Sequence, residues 1–567
     1  MTSTALDGRT LALVVFAAFV TVSLLLCGLA AADQDEAEEF YAGNRSLGPA
    51  QNGLAVAGDY LSVATVLSTT GTVALVGADG VLFACATVGS LVLLMAGYAG
   101  RLRGTGRYTL ADTLALRLRE RPVRIALGVT AVLVLLPLLM VQLSAAGRIM
   151  AVMLDLPSGS LTGCTVLTGV LIVLYSAIGG MRGTGFIQIL KTAVVAAAVL
   201  LLAGLVLNRF GWNPARLLDA AGDGSGGGSS YFRPGGQFGH SAAGWLDLLG
   251  FQVTLVLGAA CMPHVTMRLY AVRSARALRA SMRWAVGAVA VVCAGVVVIG
   301  LGASALVGGT ALRAGSPEGT DALLMVTAVL DPAAGGTEHS VLFAFVACAV
   351  FATALAAVAG ITLAAASSLA HDLLPVLTRA GRRSTAREVV QARGAVVLVG
   401  VVAVALAVLT QERNPSVLFS FSFAVAASTL FPVVLLTVFW RGFTTRGLVW
   451  TVTGTLPLVT VLMVYSPAVS GSPVALFPGH DFQWFPLQTP GLVTIPAGFA
   501  LAVLGSRPRS REPRPGPAPQ APAAPPHPSP VPPPPSGPPY VPPQGEPPAA
   551  PAYGPGPGRT PGGGFRS

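Results

Sequence analysis

A chain of 567 residues that is 53% hydrophobic and 10% charged, with a mean hydropathy of +0.70, is not a soluble globular protein. Soluble domains carry about a quarter charged residues. The net charge of +11 comes from arginines scattered through short connections, a pattern that fits loops retained in the cytoplasm rather than a nucleic-acid partner. The lipid is therefore the main solvent. Apolar runs near the ~20 residues needed to cross a bilayer must be helices, because lipid leaves no other partner for the backbone and barrel strands would be shorter and alternate in polarity.

In chain order the runs predict thirteen helices, over 9–31, 49–77, 81–100, 125–152, 160–178, 186–207, 243–261, 282–307, 341–370, 394–410, 416–438, 446–466 and 489–504. The first is read as a retained helix. Ala30 to Ala32 resembles a signal-peptide cleavage site, but the run is long for a signal and its leader carries one Arg and one Asp. With the N-terminus outside, 27 Arg or Lys fall in inner segments and 6 in outer ones, which predicts N-terminus out and C-terminus cytoplasmic. Outer loops at 208–242, 308–340 and 467–490 are longer and richer in Gly and Ser. From 506 to 567 the chain turns to Pro, Gly, Ala and Ser and cannot bury enough apolar surface to fold. That tail is read as solvated, with docking to a proline-reading module as the alternative.

Polar groups inside the membrane are costly and mark cavities or helix contacts. The second run places Gly58, Asp59, Tyr60, Leu61, Ser62 and Thr65 in one short stretch. A broken helix there would free carbonyls for a cation and amides for an anion, while a helix packed through small residues is the plainer alternative. In the fourth run Gln142 and Arg148 are substrate candidates, although Arg148 can equally snorkel outward. The sixth opens with Gln188 and Lys191, and Lys191 is the single lysine beside 34 arginines. A desolvated ammonium can release its proton and a guanidinium cannot, so a lone intramembrane lysine points to proton chemistry, against snorkelling toward the cytoplasm. In the seventh run Pro263 kinks the chain, and His264 and Arg268 share a face four residues apart; Arg268 as an inner-surface anchor stands as the alternative. The ninth run is small and apolar, with Thr353 and Thr362 in its upper half and His371 and Asp372 expected to end it in the cytosol. The six cysteines lie in apolar runs without metal-ligand spacing and read as packing residues. No metal site and no organic cofactor are expected.

Phe40 to Gly48, Gln51 to Ser62, Gly106 to Asp112, Arg119 to Arg124, Gly179 to Met181, Pro263-His264 with Arg268, and Ser368 to Leu373 together resemble the solute:sodium symporter family, closest to its cation/acetate and monocarboxylate branch. The resemblance covers roughly residues 38 to 460. It implies an all-α membrane fold with a 5+5 inverted-repeat (LeuT-like) core: an entry helix and loop over 1–48, a first repeat over 49–207, an external loop over 208–242, a second repeat over 243–438, accessory helices over 439–505 and the tail over 506–567. It places the family's sodium ligands at the carbonyls of Gly58 and Leu61 and at Thr353, Ala356 and Ala357. Both usual hydroxyl positions are thus alanine here, and alanine offers sodium no side-chain oxygen. A further family aspartate falls on Gln188, with Lys191 one turn away.

These departures point to Lys191 standing in for sodium, with coupling to protons or to no sodium at all. The expected function is cation-coupled symport of a short monocarboxylate (acetate, propionate or pyruvate) by alternating access in the plasma membrane, with proton or sodium as coupling ion. A proline- or sugar-like substrate is the nearest alternative, a membrane sensor a further one. The expected partners are a small organic anion, a cation and lipid, with no nucleic acid. An enzyme is not expected, since no His, Asp or Cys constellation is legible inside the runs.

Overall fold

The computed structural model describes residues 8–30, 37–103, 108–154, 156–331, 341–378, 385–411, 413–472 and 475–507. The proline-rich tail and parts of the 308–340 and 371–393 connections lie outside them. Residues 1–507 form one compact unit. Among the described residues the only strand-like pairing is a lone bridge between Ser470 and Phe477.

The principal helices are α1 (Gly8–Ala30), α2 (Pro49–Tyr60), α3 (Thr69–Val76), α4 (Ala78–Gly97), α5 (Glu120–Met153), α6 (Leu161–Arg209), α7 (Ala242–Ala260), α8 (Pro263–Arg268), α9 (Ala275–Val307), α10 (Val341–Ser367), α11 (Thr385–Thr410), α12 (Ser416–Val425), α13 (Phe431–Phe439), α14 (Thr445–Val464) and α15 (Gly491–Ser506). All thirteen expected stretches are helical. By length and apolar content, nine helices among the described residues qualify as spans, or ten when the bent pair Pro49–Tyr60 and Ala64–Val76 is one span. At 49 residues α6 would be about 74 Å long, more than twice the hydrocarbon thickness. It breaks at Gly180, whose φ of 49° and ψ of −153° are open to glycine and strained for other residues. That break separates the expected fifth and sixth runs.

At the centre stands α10, where every residue from Val346 to Ser367 is buried by protein. Alanine, glycine and hydroxyl residues make this possible, because backbones can approach closely where no bulky side chain intervenes. It packs on α5 and α6, with α1 and α11 outside it. α2 packs along α6 and α9. Two helices are interrupted mid-span. α2 stops at Tyr60, and after Leu61 to Val63 the chain resumes in a π turn, Ala64–Ser68, bent by 66° from the first half. α7 stops at Ala260, and Pro263, which has no amide hydrogen to donate, opens the short α8. π turns also interrupt the end of α10 (Ser368–Leu373) and the joint between α12 and α13 (Ala426–Leu430).

The α2–α9 contact depends on Gly53: a Cβ there would lie 2.4 Å from the Ser281 carbonyl oxygen and 2.6 Å from Trp284 Cβ. Backbone cannot yield as a flexible side chain can, so Gly53→Ala is expected to cost about 1–3 kcal/mol. Thermal unfolding of the purified protein in detergent checks this; an unchanged Tm would refute the packing.

Candidate functional site

Both breaks meet at one buried cluster. Asp59, in the last turn of α2, sets one carboxylate oxygen 2.9 Å from Arg268 Nε of α8, and both side chains are 2% exposed. Its other oxygen accepts from Gln188 Nε2 at 2.7 Å. The same Gln188 nitrogen donates to the Ala356 carbonyl of α10 at 2.9 Å. Lys191, one turn along α6 and wholly buried, donates from Nζ to the Gly58 carbonyl. Arg268 also donates to the Met181 carbonyl at 3.3 Å. A lone charge in such surroundings would be prohibitive, and one carboxylate facing two cations, with backbone oxygens completing their shells, is how it is borne. His264 is buried in the same cluster and its Nδ1 has no partner; Gln188 Oε1 has none either.

Above the cluster lies the gap in the first broken helix. Ser62 Oγ accepts from the Thr65 amide at 3.3 Å, and Thr65 Oγ1 donates to the Tyr60 carbonyl at 2.7 Å. Gln142 of α5 accepts from the Val63 amide at 3.4 Å, while its own Nε2 is buried without a partner. The half-helix that begins here brings its positive end to that spot. An unpartnered amide donor beside a helix N-terminus can receive a carboxylate.

The expected residues thus divide. Asp59, Gln188, Lys191, His264, Arg268 and the carbonyls of Gly58 and Ala356 come together, with Pro263 opening α8 beneath them. Tyr60, Ser62, Thr65 and Gln142 border the gap, and Leu61 lies in it, fully buried. Arg268 is inside the cluster, not at the inner surface. Ala357 is buried on α10. Thr353 bonds its own helix at Ala349 and lines a small apolar cavity with Val66, Val195 and Val350. Arg148 is exposed and faces Asp321 rather than the gap; the outer end of α5 carries it out of reach of the site.

His371 and Asp372 do not simply end a helix in the cytosol. Arg124, at the start of α5, donates to Asp112 Oδ1 at 2.9 Å and to Asp372 Oδ1 at 3.0 Å. His371 sets Nε2 3.1 Å from Asp112 and Nδ1 2.8 Å from Glu388 of α11. Thr109, which caps the short helix Leu110–Ala115, donates to Asp372 at 3.0 Å. Asp112, His371 and Asp372 offer ligand atoms within 4.8 Å of one another, a cluster the sequence had not shown. Arg124 already lies on both carboxylates, so we read it as an ion-pair network joining four elements. Burial alone would raise the Asp112 carboxyl, but the hydrogen bond and charge of His371, together with Arg124, outweigh it and hold the group well below the usual carboxylate range. A depressed carboxyl adds stability above its unfolded value near 4 and loses it as pH falls through the folded value. Asp112→Asn is therefore expected to cost about 3 kcal/mol, undiminished from about pH 5 to 6 and smaller toward pH 8, because the pair also holds the His371 proton above the unfolded histidine value near 6.5. Melting curves across that range check it, and coincident curves would refute it.

The comparisons with known proteins agree with this geometry. The profile of the sodium:solute symporter family matches residues 40–454. A monocarboxylic acid transporter of Corynebacterium glutamicum is 33% identical over 504 residues, covering 87% of this chain and 90% of that protein. An uncharacterized symporter of Bacillus subtilis strain 168, YwcA, is 33% identical over 497 residues, covering 87% of this chain and 94% of that one. Among solved structures, a Na+-coupled sialic acid symporter in a substrate-bound outward-open state superposes with a TM-score of 0.67 at 14% identity, over 87% of this chain and 97% of that chain; at that identity the likeness is one of fold. With two broken helices meeting at a buried polar cluster in an inverted-repeat fold, the chain belongs to the sodium:solute symporter family, multi-pass membrane carriers, not enzymes, that move a small solute together with a coupling cation.

Proposed function

We propose that this carrier takes up a short monocarboxylate, of the acetate, propionate or pyruvate class, and that Lys191 does the work a sodium ion does elsewhere in the family. The observation that carries the reading is the Lys191 ammonium lying on the Gly58 carbonyl, one of the oxygens the family resemblance assigns to sodium. Gln188 Nε2 lies on the Ala356 carbonyl beside it. Two nitrogen donors thus fill a place that needs oxygens, and at Ala356 and Ala357 the chain has no hydroxyl to supply them. A proton on Lys191 supplies the positive charge otherwise brought by the ion.

Gln142 Nε2 and the start of the second half-helix supply donors for the carboxylate, with Ser62 and Thr65 beside them. The name of the Corynebacterium relative supports the substrate class. The small, apolar α10 wall argues against a polyhydroxylated sugar. In this reading thirteen crossings put the N-terminus outside and the C-terminus in the cytoplasm. One helix bundle of the core rocks against the other around the site, and the network around His371 closes the inner side.

Uptake of labelled acetate into proteoliposomes, with proton and sodium gradients imposed separately, tests this. The expected result is acceleration by an inward proton gradient and none by sodium, with Lys191→Gln losing that acceleration while retaining exchange of internal for external acetate. Acceleration by sodium alone, or a Lys191→Gln protein with unchanged pH dependence, would refute the coupling.

A further inference from the structure

The second break has a different electrical character from the first. Where α7 stops at Ala260, its last carbonyls carry the negative end of the helix dipole; the Cys261 amide reaches Gly258 and the Met262 amide reaches Ala259 only at a long 3.4 Å. In broken helices of membrane carriers such carbonyls hold a coupling ion or a positively charged group. Here two tyrosines reach them first. Tyr60, in the last turn of α2, donates its hydroxyl to the Ala259 carbonyl at 3.2 Å. Tyr98, which follows α4, donates to the Ala260 carbonyl at 2.6 Å and lies 2.9 Å from Cys261 Sγ. A hydroxyl has one hydrogen. With that of Tyr98 on Ala260, the Cys261 thiol is the donor to Tyr98. Ser90 Oγ lies 3.4 Å from the Tyr60 hydroxyl, with its own hydrogen on the Thr87 carbonyl at 2.8 Å. All of these groups are buried. Tyr98 belongs to neither broken helix, and its sequence position gives no sign of this contact.

The two breaks therefore present opposite faces to a solute. The first offers an amide donor and a helix N-terminus. The second has had its acceptors taken. A carboxylate finds donors at the first break, and an ammonium finds the Ala259 and Ala260 carbonyls already engaged by hydroxyls at the second. An amino acid would have to displace those hydroxyls or bury its ammonium poorly paired, which is more costly than leaving it in water.

We propose that Tyr60 and Tyr98 are specificity-determining residues: by capping the carbonyl end of α7 they exclude ammonium-bearing solutes, so that the carrier prefers a simple monocarboxylate to the amino acid of the same carbon skeleton. This rests on the monocarboxylate reading and sharpens it. Propionate and alanine make the comparison direct, because they differ by the α-ammonium group alone.

Full-length wild type, Tyr98→Phe and Tyr60→Phe are reconstituted, and the alanine and propionate concentrations that halve uptake of labelled propionate are measured for each. Wild type is expected to require far more alanine than propionate. Tyr98→Phe is expected to narrow that ratio about tenfold, the scale of one buried hydrogen bond. Tyr60→Phe, whose bond is longer, should narrow it less. A tyrosine serving only to pack would alter expression or total uptake and leave the ratio alone. For a variant that folds but transports poorly, the same question is put to binding: alanine should raise its Tm and not that of wild type. Variants with wild-type discrimination, in uptake and in Tm, would overturn the proposal. A wild-type protein indifferent to propionate would instead overturn the monocarboxylate reading beneath it, and that result is seen before any variant is made.

Discussion

Everything in the core is arranged around one electrostatic constraint: a carboxylate and two cations have been taken out of water into the middle of a helix bundle. Asp59 is shared by Arg268 and Gln188, and Lys191 rests on the Gly58 carbonyl. These contacts tie the last turn of α2 to α6 on one side and to α8 on the other. Removing any one partner would strand a charge in a low-dielectric interior, a far larger penalty than the pair's own net contribution. The break in α2 fits the same need, since an intact helix would have the Gly58 carbonyl committed to its own amides and not free for Lys191. The stripe of small residues on α10 then lets Gln188 reach the Ala356 carbonyl.

The network around His371 and the gap in the first broken helix lie on elements that also build this centre. Asp372 and His371 extend the far end of α10, and Arg124 opens α5, the helix that also carries Gln142. The Arg124–Asp372 pair thus joins α5 to the end of α10, and the same α5 carries Gln142 to the gap. The tyrosine caps on Ala259 and Ala260 link α2 and the end of α4 to the break of α7 in the same manner.

Much of this was legible in the sequence, for identifiable reasons. Apolar runs of membrane length marked where the helices lie, because lipid leaves the backbone of a single segment no other partner. The single lysine among 34 arginines singled out Lys191, and the mixture of Gly, Asp and hydroxyls around Asp59 marked a break. Arg268 remained ambiguous because an arginine at a helix end reads equally as an anchor; only its partner, 209 positions away, decides. Arg148 looked usable beside Gln142, but a position six residues along a helix faces a different side, and it is exposed. The Asp112–His371 contact spans 259 positions and the Tyr98 cap 162. No periodicity encodes such meetings, and a tyrosine bonded to a carbonyl leaves no compositional trace.

The central claim concerns one atom, Lys191 Nζ, and the sequence makes that atom addressable. Because it is the only lysine, protein grown on ¹⁵N-labelled lysine carries a single side-chain amine signal, so nuclear magnetic resonance in a membrane mimetic reports on it without assignment. The account predicts a signal that is indifferent to sodium, moves when acetate is added, and changes with pH as the coupling proton is gained and lost. A signal that shifts on adding sodium, or one that ignores both acetate and pH, would contradict it.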